Sequence, residues 1–167
     1  RPKCDGNLAP VLSYKRASHA RSDHISTHMS YGNLLNEALT REALMAGFKK
    51  RHVYGATDNI LAEFSSWSYI MGDAFSSAKP PELRVKLTGT APFAKVHIVK
   101  DNQYVYTAQP GKPTAAFTWR DTAPVAGKNR YYYVRGEPTP CGMGWGSPLV
   151  VSYTKPPAPR TVLRSVI

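Results

Sequence analysis

The chain has 167 residues, with 22 Lys or Arg against 11 Asp or Glu and a net charge of +11. That length allows one ordinary domain with a real core, or a small domain with ordered arms. A hydrophobic share of 42% with 20% charged residues is a globular composition. No apolar run is long enough to cross a bilayer as a helix, and no signal peptide is visible at Arg1.

The basic excess asks for an acidic neighbour. A larger protein assembly with an acidic face is the expected partner, and an anionic membrane surface would answer the same charge. Nucleic acid is disfavoured, because no helix-turn-helix, zinc-finger or RNA-recognition pattern is present. The plainer reading is a basic surface that only keeps the chain soluble. Cys4 and Cys141 fit one disulfide or two free thiols equally well, and no cysteine lies near a histidine pair.

In chain order, residues 1–39 read as an irregular basic arm, interrupted by Pro2, Gly6 and Pro10. A helix follows. Thr40 is a good N-cap, Glu42 suits the first turn, and Lys49, Lys50 and Arg51 stand where the helix dipole favours cations. Ala43, Leu44, Gly47 and Phe48 make an apolar face that needs cover. Beyond His52, Val53 to Thr57 and Ile60 to Phe64 read as short strands with a turn at Asp58-Asn59, where an Asx role for Asp58 outweighs a ligand role. Trp67 and Tyr69 ride a hairpin, and Pro80-Pro81 marks a hinge or a strand start.

From Leu83 the alternation is plain: Leu83, Val85 and Leu87 face one way while Arg84, Lys86 and Thr88 face the other. Val96 and Ile98, Tyr104 to Tyr106, Phe117 to Arg120, Tyr131 to Arg135 and Leu149 to Tyr153 continue the series. This predicts a mainly β protein: an immunoglobulin- or fibronectin-III-like β-sandwich over residues 80–154, preceded by one α-helix and short strands over 40–79. The stretch Pro138 to Pro148 reads as a Gly-rich connection in which Trp145 caps a sandwich edge. Residues 155–167 form a Pro-rich tail in which Lys155, Arg160 and Arg164 are expected to bind a partner, as are Lys49, Lys50 and Arg51 of the helix end.

One chemical constellation stands before the helix. Asp23, His24 and His28 bring a carboxylate and two imidazoles within six positions, a donor set suited to a divalent transition metal. A polar loop satisfying its own backbone is the plainer account. This run, the Thr40-Arg41-Glu42-Ala43 helix start, His52 to Asn59, Met71-Gly72-Asp73, Gly89 to Pro92 and Tyr131 to Arg135 together resemble, in their order, the C-terminal part of polymerase-and-histidinol-phosphatase (PHP) type proteins with a trailing sandwich. The resemblance spans residues 21 to 153. It implies a secreted or periplasmic setting and a metal-dependent barrel in which Asp23, with His24 nearest, supplies part of the ligand set. Asp23 and His24 are adjacent here, where many members interpose a residue, and residues 1–20 hold none of the family's early His-x-His ligands.

The sequence therefore predicts a non-catalytic interaction module, a truncated relative needing no cofactor, that docks by its sandwich and basic arms. Two alternatives stand beside it. One is part of a metal-dependent hydrolase, phosphoesterase-like, whose remaining barrel lies on another segment or chain and holds a divalent metal. The other is a carbohydrate-binding or adhesion sandwich using Trp67 or Trp145.

Overall fold

The computed structural model describes residues 31–140 and 142–154. Twelve strands and one helix lie in this span: β1 (Tyr31–Leu34), α1 (Arg41–Lys50), β2 (Val53–Ala56), β3 (Leu61–Ser66), β4 (Tyr69–Ile70), β5 (Ala74–Ser77), β6 (Glu82–Thr88), β7 (Phe93–Lys100), β8 (Gln103–Ala108), β9 (Thr114–Arg120), β10 (Asn129–Pro138), β11 (Gly144–Gly146) and β12 (Leu149–Tyr153).

They make two sheets facing each other. The smaller runs β4-β3-β6-β9. The larger is organised on β10, which pairs antiparallel with β7 along one edge, and β7 in turn with β8. Its other edge is shared: β12 pairs along Asn129 to Tyr132, and β11 takes over at Arg135 and Gly136. Beyond β12 lies β5, in parallel pairing; beyond β11 lie β2 and β1. With β3-β6-β9 opposed to β8-β7-β10-β12, the architecture is the expected immunoglobulin/fibronectin-III-like sandwich, preceded by a helix.

Side-chain alternation explains why these segments are strands. Leu83, Val85 and Leu87 of β6 are buried while Arg84 and Lys86 are exposed. Across the core they meet Val96 and Ile98 of β7, Val134 of β10 and Leu149 and Val151 of β12. Burying each such aliphatic side chain contributes about 1.5–3 kcal/mol. The β7–β8 hairpin turns on Asp101 and Asn102, whose φ values of 49° and 65° are the left-handed pair that a two-residue hairpin needs.

The structure departs from the sequence reading in three places. Tyr31 to Leu34, expected to belong to the irregular arm, form β1, because β2 offers four antiparallel partners. The Pro138 to Pro148 connection contains β11, so Trp145 lies between β10 and β2 inside the sheet instead of capping an edge. The sandwich also begins before residue 80, since β3 pairs with β6 and β5 with β12. Residues 1–30, with Cys4 among them, Cys141 and the 155–167 tail lie outside the described residues.

Candidate functional site

The corner built by α1 leaves apolar and cationic side chains exposed together. Its N-terminus is capped as expected, the Thr40 hydroxyl accepting a hydrogen bond from the Ala43 N–H at 3.2 Å. Gly47 is the buried residue of the helix, and a Cβ there would come within 3.0 Å of Leu34 on β1. This close approach sets which side faces inward. Ala43 and Leu44 are half-buried beside it, whereas Phe48, expected on the same apolar face, is 58% exposed. Met45, one turn earlier, is 52% exposed and Leu39, just before the cap, 94%. An apolar flank thus stands in solvent, next to the exposed Lys49 and Lys50 of the last turn.

Arg51, grouped with those lysines by sequence, has a different task. It closes the helix in the left-handed conformation at φ 62°, its N–H bonding to Phe48 O. Its guanidinium donates to the Gly72 carbonyl through Nη2 at 3.0 Å and Nε at 3.3 Å. Gly72 adopts φ 98°, and a Cβ on it would collide with the Arg51 carbonyl. The next residues repeat the link: His52 Nε2 lies 2.8 Å from Asp73 Oδ1, while Asp73 Oδ2 accepts from Ile70 N–H at 2.9 Å. Residues 51–52 are therefore latched to 72–73, where the chain passes from the smaller sheet to the larger.

Some charged groups in the sandwich are tied up by structure. Lys100 Nζ reaches Asp121 Oδ2 at 2.6 Å, and the Tyr132 hydroxyl donates to the same oxygen at 2.5 Å. Burial pushes the Asp121 carboxyl up, but Lys100, Tyr132 and the Ala123 N–H outweigh it and hold the group below its ordinary range. Burial and the Asp121 bond push the Tyr132 phenol far up.

On the outer face of the larger sheet, His97 Nδ1 lies 2.8 Å from Thr107 Oγ1 and Nε2 3.6 Å from Glu137 Oε1. Arg135 Nε sits 3.1 Å from the same Glu137 oxygen, and Arg135 Nη1 donates to Tyr104 Oη at 3.0 Å. Burial pushes the imidazole pKa down, Glu137 opposes this, and Arg135 and Lys95 reinforce it, so the neutral ring is favoured. Sequence reasoning missed this cluster; its signal was a polar residue inside the apolar run Val96-His97-Ile98.

The other sequence-derived candidates fall as follows. Asp23, His24, His28, Lys155, Arg160 and Arg164 lie outside the described residues. Among the described residues no group of three or more His, Cys, Asp or Glu side chains could hold a metal ion. Asp58 does turn work, accepting from Asn59 N–H and the Thr90 hydroxyl at 2.7 Å each. Trp67, at φ 51° on the β3–β4 turn, meets Phe75 edge-on at 5.7 Å, and Tyr69 stacks on Phe75 at 4.2 Å. Among the described residues no helix is long and apolar enough to cross a membrane. No family model, curated protein or solved structure matches the chain.

Proposed function

We propose that this chain is a non-catalytic interaction module: a β-sandwich that presents a helical corner, and basic arms, to an acidic face of a larger protein assembly. The observation that carries the reading is the exposure of Leu39, Met45 and Phe48 beside Lys49 and Lys50. Exposed apolar side chains that end in two cations suit a partner with an apolar pocket and carboxylates at one side of it. Charge distribution supports it: residues 1–30 and 155–167 together hold eight basic and two acidic residues. The PHP-type resemblance of residues 21 to 153 adds a secreted or periplasmic setting to the proposal.

The test is retention in the native assembly, read by size-exclusion of extracts of the source. Reversing Lys49 and Lys50 to Glu, or Lys155, Arg160 and Arg164 to Glu, should release the chain, and so should raised salt, which screens exposed ionic contacts. Retention unchanged by both treatments sinks the electrostatic part. Zinc, manganese or iron bound stoichiometrically after dialysis, with a hydrolytic activity lost in Asp23→Ala, would replace this reading with the hydrolase one.

A further inference from the structure

We propose that β9 is a self-pairing edge, along which two copies of this chain join antiparallel about a two-fold axis to make one continuous sheet. β9 ends the β4-β3-β6-β9 sheet and pairs with β6 in unbroken register from Thr114↔Thr88 to Arg120↔Glu82. Alternate residues of such an edge aim their N–H and C=O groups away from the sheet, a template for another strand. Natural edges are blunted by shortness, bulges, proline or charge. Among the described residues, the other strands that end a sheet path each carry such a device: β4 has two residues, β1 and β5 four, and β8 is offset from β7 by a register shift at Ile98/Val99. β9 has seven residues, no proline and no bulge.

Charge permits a second copy at this edge, and a two-fold pairing of the strand with itself fits one. A chain of net +11 repels its own copy, and an edge that adds no unpaired charge keeps that cost low. The sole formal charge on β9 is Arg120, which is paired with Glu82 at 2.7 Å. Centring the two-fold on Phe117 pairs all seven residues and sets Ala116 opposite the second copy's Thr118, and Arg120 opposite its Thr114, so no like charges meet. The outward side chains Thr114, Ala116 and Thr118 are small and uncharged. Behind the strand, Phe117 and Trp119 are half-buried at the open side of the sandwich, with Tyr106 of β8 5.2 Å from Phe117 ring to ring. A second copy would cover them. Two seven-residue strands bury less than the ~1,200 Å² of a standard interface, so the dimer is concentration-dependent.

The experiment is sedimentation of the full chain from micromolar to near-millimolar concentration at low and high salt. The weight-average mass should climb from 18.4 kDa toward twice that value, and high salt should favour the climb by screening like charge. This is the opposite of the salt effect on the acidic partner, so the two readings fail separately. Ala116→Glu with Thr118→Glu puts carboxylates opposite each other across the axis while giving each a cationic neighbour, Lys86 or Arg84, within its own sheet. Association should weaken on the order of tenfold from the two repulsive pairs, although net charge has fallen. Ala116→Glu with Thr118→Lys sets opposite charges across the axis and should restore it. A monomer at every concentration and salt, association indifferent to the double-Glu variant, or open-ended aggregates in place of a dimer would overturn the proposal.

Discussion

The interior of the sandwich and the helical corner treat charge and apolar surface in opposite ways. In the sandwich, Lys100, Arg120, Arg130 and Arg135 each lie within 3.1 Å of a carboxylate oxygen, and the inner faces of both sheets are buried. At the corner, Lys49 and Lys50 are exposed and no carboxylate among the described residues pairs with them, and Met45 and Phe48 stand open. The difference separates parts whose interactions are satisfied within the chain from a part that has interactions to offer. Stability should reside in the first and recognition in the second.

Several substitutions break or sharpen that contrast. Asp121→Ala strands a nearly buried lysine and should cost about 3–5 kcal/mol in urea unfolding. A loss below about 1 kcal/mol would show that the cluster is well solvated and the contrast overstated. Gly72→Ala forces a Cβ onto the Arg51 carbonyl at a positive φ and should cost about 1–3 kcal/mol, with hydrogen exchange in α1 rising more than in β6. Tyr132→Phe removes one charged-group hydrogen bond and should cost about 1.5–3 kcal/mol.

Acid should weaken the sandwich in two steps. The fold favours neutral His97, so the unfolded chain binds more protons there, and stability falls as pH drops below the ordinary value of 6.5 toward the depressed folded one. Asp121 is held ionised, so its contribution is present above its ordinary 3.8 and is lost as pH falls through its lower folded value. Unfolding midpoints across this range, with imidazole resonances followed by NMR, check both signs. The smallest effect on stability, within about 0.5 kcal/mol, belongs to Met45→Ser with Phe48→Ser. That pair should nonetheless weaken the proposed docking, read by the same size-exclusion test.

Legibility in the sequence followed the range of the forces involved. β6 announced itself by alternation, and α1 by Thr40 and the trailing lysines, because both are local patterns. β1 and β11 did not, because Tyr31-Gly32-Asn33-Leu34 and Gly144-Trp145-Gly146 are short and glycine-bearing and owe their conformation to distant partners. Lys49 and Lys50 were readable as an exposed cationic end. The diversion of Arg51 was not, since its acceptor lies 21 residues further on. Lys100 and Asp121 were unreadable for a related reason: charged residues suggest solvent until a fold brings them together.

The double link of Arg51 and His52 to Gly72 and Asp73 also has a mechanical meaning. It ties the appended helix to the same few residues that carry the chain from one β-layer into the strand running alongside β12. A pull at Phe48 therefore meets that passage first, through the bonds that Arg51 and His52 make to it.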